Sequence, residues 1–197
     1  MALKSGVAHW GNLAKFFHWT VVALLLVQGT VGLVMVELAK PHPTPKVFPY
    51  FNFHKSLGLT ILLLAILRLL WRAFDQRPEE PASMPRSQVI GARVGHALLY
   101  TLLFAVPLSG WLFDSATALR PLYWFGLFRV PSLTGGRDDA IKELAEDAHE
   151  TLFWILATVA AVHAAIALWH HFHDRDDILR RMLPGRRGAI APAEPLI

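Results

Sequence analysis

Four histidines, His18, His54, His149 and His163, lie within or at the edge of long apolar segments of a 197-residue chain that has no cysteine. An imidazole set in hydrocarbon is costly unless something binds it, so such residues are functional candidates. His149 and His163 are 14 residues apart. In an α-helix that is close to four turns, so both would point the same way, roughly 21 Å apart along the axis. One helix then offers two ligands at two depths. His54 lies near one end of a second apolar segment, at the depth expected for His149, and His18 lies near the opposite end of the first. Two bis-histidine haem irons stacked across a membrane would use all four.

The segments that must position these residues are membrane spans. The chain is 54% apolar and only 17% charged, too apolar for a soluble domain of its length. A bilayer core about 30 Å thick needs about 20 helical residues. Charge-free windows run over 16–36, 94–113 and 151–173; a fourth apolar segment, near 53–74, holds Lys55 close to one end and Arg68 and Arg72 close to the other. Long basic side chains near helix ends reach the interface. The expected fold is therefore all-α, a four-helix transmembrane bundle with helices at about 14–38, 53–74, 92–113 and 148–173, enclosing two haem groups. Residues 1–184 form one membrane domain and 185–197 a tail.

Basic residues set the orientation. Twelve of the nineteen, namely Lys4, Lys15, Arg68, Arg72, Arg77, Arg86, Arg93, Arg175, Arg180, Arg181, Arg186 and Arg187, fall on the side of the N-terminus, the second-to-third connection and the C-terminal tail. Seven, Lys40, Lys46, Lys55, Arg120, Arg129, Arg137 and Lys142, fall on the other. Both termini should be cytoplasmic. The first apolar run exceeds a signal-peptide core and no A-x-A-like site follows it, so it should remain in the mature protein.

The connections differ in character. Residues 39–52 carry Pro41, Pro43, Pro45 and Pro49 and read as a stiff extended link. Residues 75–91, with Pro78, Pro81 and Pro85, read as a plain loop. Leu122-Tyr-Trp-Phe-Gly-Leu-Phe128 reads as an aromatic segment at headgroup level. The acidic stretch from Asp138 reads as a first helical turn running into the fourth span. There is no repeat, nucleotide-binding glycine loop or Ser/His/Asp arrangement, and nothing points to nucleic acid.

Other residues fit the histidine frame. Gly58 is one turn from His54, and Gly29 and Gly32 are three to four turns along from His18; small residues leave room for a flat macrocycle, or serve helix packing. Arg68 is 14 residues from His54, hence on the same face near the other depth, where its guanidinium could pair with haem propionates or snorkel. His170, His171 and His173 resemble a metal tract. Zinc favours thiolate and imidazole in one compact tetrahedron, whereas cysteine is absent and the four key histidines are split between depths. His171 and His173 read as a solvated helix end. His170, seven residues beyond His163 and on nearly the same face, could line a substrate site.

Taken in order, Phe17-His-Trp19, Asn52-Phe-His-Lys-Ser-Leu-Gly58, Gly95-His-Ala-Leu-Leu-Tyr100, Ala148-His-Glu-Thr-Leu152, Val162-His-Ala-Ala165, Trp169-His-His171 and the Arg181-Met-Leu-Pro184 ending resemble the bacterial cytochrome b561 family. The likeness spans residues 12–184 and is closest to the superoxide oxidase cytochromes. It implies two haem b groups, with His18 and His163 binding the cytoplasmic-side iron and His54 and His149 the periplasmic-side one. Depth alone leaves His163 and His170 open as the partner of His18: on straight upright helices His18, three residues inside Lys15, matches His170 better, and helix tilt restores His163.

The resemblance further implies an oxidoreductase of the bacterial inner membrane that moves electrons from periplasmic superoxide to ubiquinone. His170, His96 and Arg72 are the polar groups expected near the inner haem, and His170 is the expected quinone-site residue. Lys46, Lys55, Arg137 and Lys142 are candidates for steering the superoxide anion. A second reading makes the chain a cytochrome b subunit relaying electrons between a periplasmic hydrogenase or dehydrogenase and the quinone pool. A third, a haem-free histidine-based transporter, fits poorly with four short-looped spans.

Overall fold

A computed structural model of the chain describes residues 3–7, 9–79 and 84–185. Pro81, Arg186, Arg187 and the tail expected beyond residue 185 lie outside the described residues. The order is α1 (Asn12–Leu38), a 3-10 turn (Pro45–Val47) leading into α2 (Phe48–Phe74), α3 (Arg86–Thr117), β1 (Tyr123–Trp124), β2 (Phe128–Arg129), α4 (Asp139–Trp169), a π-helical turn (His170–Asp174) and α5 (Ile178–Met182). Four helices are long and apolar enough to cross a membrane.

Three of these helices start well before the charge-free windows, because such windows measure only the hydrocarbon slab while a helix continues into the interface, where charged side chains stay hydrated. The proline-rich 39–52 link is accordingly shorter than expected: Pro45 opens a 3-10 turn and Pro49 sits in the first turn of α2, where a missing N–H costs nothing. At α4 the cap is chemical. Asp138 Oδ1 accepts the Ile141 N–H at 3.0 Å, and Asp139 adds negative charge to the first turn.

The fold is not purely α. β1 and β2 pair antiparallel in the register Tyr123↔Arg129 and Trp124↔Phe128. Their turn has positive φ at both Phe125 (46°) and Gly126 (77°), as in a type I′ hairpin turn, which glycine adopts without strain. The hairpin is pinned to α2: Ser56 Oγ accepts the Phe125 N–H at 2.9 Å, and Trp124 Nε1 donates to Thr60 Oγ1 at 3.0 Å. Tyr123, Phe125, Leu127 and Phe128 remain exposed on this hairpin.

At the opposite end the first described residues and the start of α1 meet the end of α2 and the α5 segment. Ser5 donates through N–H and Oγ to the Asp75 carboxylate at 2.8 and 2.6 Å. Lys15 Nζ donates to Leu183 O at 3.1 Å and Trp19 Nε1 to Met182 O at 2.8 Å. The bundle thus has a hairpin end and a terminal end.

Between them the side-chain core is small. Val21, Leu57, Ile61, Ala65 and Leu103 form the buried cluster where α1, α2 and α3 meet. Outward residues such as Leu26, Leu33, Leu63, Val162 and Ile166 are exposed, as lipid-facing positions should be. Along the bundle α1 packs on α2, α2 on α3, and α3 most extensively on α4; α4 has no comparable backbone packing with α1 or α2. That open side is where the histidines face each other.

Candidate functional site: histidine pairs at two depths

At the hairpin end, His54 of α2 faces His149 of α4 with ring centres 6.2 Å apart and planes at 85°. At the other depth, His18 of α1 faces His163 of α4 at 6.4 Å and 67°. A metal–imidazole bond of about 2.0 Å, with the ring centre about 1.1 Å beyond the nitrogen, places two axial imidazoles on one iron roughly 6.2 Å apart. Both pairs stand at that separation. His96 also lies against His163, with ring centres 5.3 Å apart.

His149 is oriented from α3. Its Nδ1 is 2.9 Å from Val106 O and 3.2 Å from Ser109 Oγ. A carbonyl can only accept, so Nδ1 carries the proton there and leaves the Nε2 lone pair free for a metal. His54 Nδ1 is buried with no hydrogen-bond partner among the described residues, while its backbone carbonyl accepts from Gln28 Nε2 at 3.0 Å.

Glycines hold space for these rings. A Cβ on Gly32 would lie 3.0 Å from His54 Cε1, and one on Gly110 would lie 2.9 Å from His149 Cε1 and 3.0 Å from its Nδ1. Gly58 instead makes room for the Gln28 amide, and Gly29 meets Phe153 at an ordinary 3.5 Å. Of the glycines singled out from sequence, Gly32 therefore serves a histidine directly. A small, mostly apolar cavity adjoins the hairpin-end pair, lined among others by His54, Lys55, Gly58, Gly110, Asp114 and His149.

The terminal-end pair is surrounded by cations. Arg68 Nη2 is 3.4 Å from His18 Nδ1, and Arg68 and Arg72 each hold their guanidinium carbon 5.3 Å from the Tyr100 ring centre. Neither arginine has a carboxylate partner among the described residues. Two such cations beside a histidine pair suit the propionates of a haem. His96, Arg68 and Arg72 are thus brought together with His18 and His163.

His170 is not. Its Nδ1 lies 2.9 Å from both Asp174 Oδ2 and Asp176 Oδ2, contacts close enough for ion pairing yet off-angle for hydrogen bonds. The π-helical turn and Arg175, with φ of 55°, bring the two carboxylates round to it. His163, and not His170, is therefore the α4 histidine facing His18.

The bases expected to steer an anion are mostly engaged. Lys55 pairs with Asp114, Arg137 with Asp139 at 2.9 Å, and Lys142 with Glu146 at 3.6 Å. Val106, Ser109, Gly110 and Asp114 escaped sequence reasoning. Their only signal was the unusual Pro107-x-x-Gly110 pair within a span.

Apolar helices carrying facing imidazoles at two depths define a membrane protein of the cytochrome class. The sequence profile of the family described as prokaryotic cytochrome b561 matches residues 9–185, and the chain belongs to that family. It is 33% identical to cytochrome b561 homolog 2 of Escherichia coli K12 over 187 residues, covering 93% of this chain and 95% of that one. It is 27% identical to cytochrome b561 homolog 1 of the same strain over 172 residues, 87% of this chain and 95% of that one. It is 30% identical to the probable superoxide oxidase CybB of Yersinia pestis over 176 residues, 87% of this chain and 93% of that one. Membership makes the protein a haem b-binding, multi-pass membrane carrier of electrons.

Proposed function

We propose that this protein is a superoxide oxidase of the bacterial inner membrane, with two haem b groups and both termini in the cytoplasm. It takes electrons from superoxide at the hairpin end and passes them to ubiquinone near the terminal end. The observation that carries the reading is two histidine pairs at axial-ligand spacing, 6.2 and 6.4 Å, on one α4 face. The likeness to a protein named as a probable superoxide oxidase supports the choice of donor.

His54 and His149 hold the periplasmic-side haem, His18 and His163 the cytoplasmic-side one, and Arg68 and Arg72 neutralise propionates at the latter. The haems, when bound, supply one-electron transfer across a layer that ions do not cross. Val106 O fixes His149 in one tautomer and raises its basicity as a ligand. Overall, two superoxide anions and one ubiquinone, with two protons, become two dioxygen molecules and one ubiquinol. His170, which has two carboxylates beside it, hands a cytoplasmic proton to the quinone in this reading. His96, 5.3 Å from His163, adds a polar contact beside the inner haem.

The test is addition of superoxide to anaerobic purified protein, following the haem Soret band and ubiquinone consumption together. Reduction of both without any partner protein is the expected result. Reduction that occurs only when a hydrogenase or dehydrogenase is added would replace the reading with an electron-relay subunit.

A further inference from the structure

Among the described residues, the only charged side chains that line the cavity beside His54 and His149 are Lys55 and Asp114. They come from different helices, 59 residues apart in sequence, and are paired with each other. Their settings differ. Asp114 keeps only 9% of its side-chain surface, whereas Lys55 keeps 31%. The residues just after Asp114 are tied to a packed segment: Ser115 Oγ accepts the Leu133 N–H at 3.0 Å, Thr134 Oγ1 donates to Ser115 O at 2.9 Å, and the Asp138 N–H donates to Ala116 O at 3.0 Å. Lys55 reaches the cavity on a flexible four-carbon stem from the residue next to His54.

From this asymmetry we infer that Asp114 is a specificity-determining residue which holds Lys55 in check and makes it an exchangeable anion site. The inference rests on the superoxide reading given above. A small anion arriving at the outer edge of the site meets the accessible ammonium before the buried carboxylate and takes Asp114's place on it. Loss of one electron turns superoxide into neutral dioxygen, which has no charge to hold Lys55. The lysine then returns to Asp114 and the product is free to leave. A lone lysine would attract the anion more strongly, whereas the pair presents no net charge to a passing anion such as chloride or phosphate.

The experiment compares wild type, Asp114→Asn, Lys55→Gln and the double variant at ionic strengths from 10 to 300 mM. Purified protein with an intact Soret spectrum is used. The readouts are the initial rate of superoxide-driven haem reduction and the rate of reduction by duroquinol, a neutral reductant entering at the quinone site. Removing the fixed carboxylate frees a cation at the entrance, so Asp114→Asn should raise the low-salt superoxide rate about tenfold and steepen its salt dependence. It should also make chloride an inhibitor. Lys55→Gln and the double variant should both be slow and insensitive to salt, each superoxide rate being divided by the same protein's duroquinol rate to remove any difference in haem content. An Asp114→Asn rate no higher and no steeper in salt than that of an active wild type overturns this inference alone. A wild type that binds haem and accepts electrons from duroquinol but not from superoxide overturns the proposed donor and this inference with it.

Discussion

Replacing Gly110 by alanine tests the hairpin-end site with one carbon atom. The new Cβ would stand 2.9 Å from His149 Cε1 and 3.0 Å from Nδ1, while ordinary contact begins at 3.4 Å. The ring must retreat by about 0.5 Å, and since Gly110 and Val106 are one turn apart on α3, it retreats from the Val106 carbonyl as well. The 2.9 Å contact between Nδ1 and Val106 O then stretches to about 3.4 Å, beyond the useful range of an N–H···O bond. Loss of such a bond is worth about 0.5–1.5 kcal/mol. A less basic imidazole stabilises ferric iron less, so the midpoint potential of one haem should rise by about 20–60 mV. Retention of that haem should weaken roughly 10–100-fold, the usual effect of losing a ligand's outer hydrogen bond. The assay is redox titration of the two α-bands with haem-to-protein ratios measured after detergent washing. Gly91→Ala in the same helix is the control: nothing lies within 4 Å of its Cβ, so both haems should be untouched. Two haems with unchanged potentials in Gly110→Ala would refute the assignment of His149 as a ligand oriented from α3.

Arg68→Ala should weaken binding of the cytoplasmic-side haem roughly 10–100-fold and leave the other in place, as separate haem spectra will show. Arg68→Lys should restore only part of this, because an ammonium lacks the planar fork that matches a propionate. His170→Ala should keep both haems and their reduction by superoxide but slow ubiquinol formation about 100-fold or more in single-turnover experiments, the contribution expected of a positioned proton donor.

Much of this arrangement is legible in the chain because a bilayer imposes strong rules. Charge-free windows mark the spans, and the 14-residue interval from His149 to His163 fixes two ligands on one face of α4. The hairpin at 123–129 was not legible. Its segment lacks a strand's alternation, and it is held by Ser56 and Thr60, some 64–69 residues away in sequence. The same distance problem hides the Lys55–Asp114 pair, which left Lys55 looking like a free base. The choice between His163 and His170 turned on helix geometry: α4 ends at Trp169, inside the window, and the π-helical turn that follows sets His170 beside Asp174 and Asp176, while His163 faces His18. Gly110 was invisible because its role depends on a ring from α4 approaching α3, and composition says nothing of such an approach.

The central claim is that four histidines hold two haems at separate depths. Its most direct test is the haem-to-protein ratio, by pyridine haemochrome and amino-acid analysis, of wild type and of His54→Ala and His18→Ala. Two haems per chain in wild type are expected, with one remaining in each variant and none in the double variant. A wild-type ratio of one, or single variants that still hold two, would contradict the account.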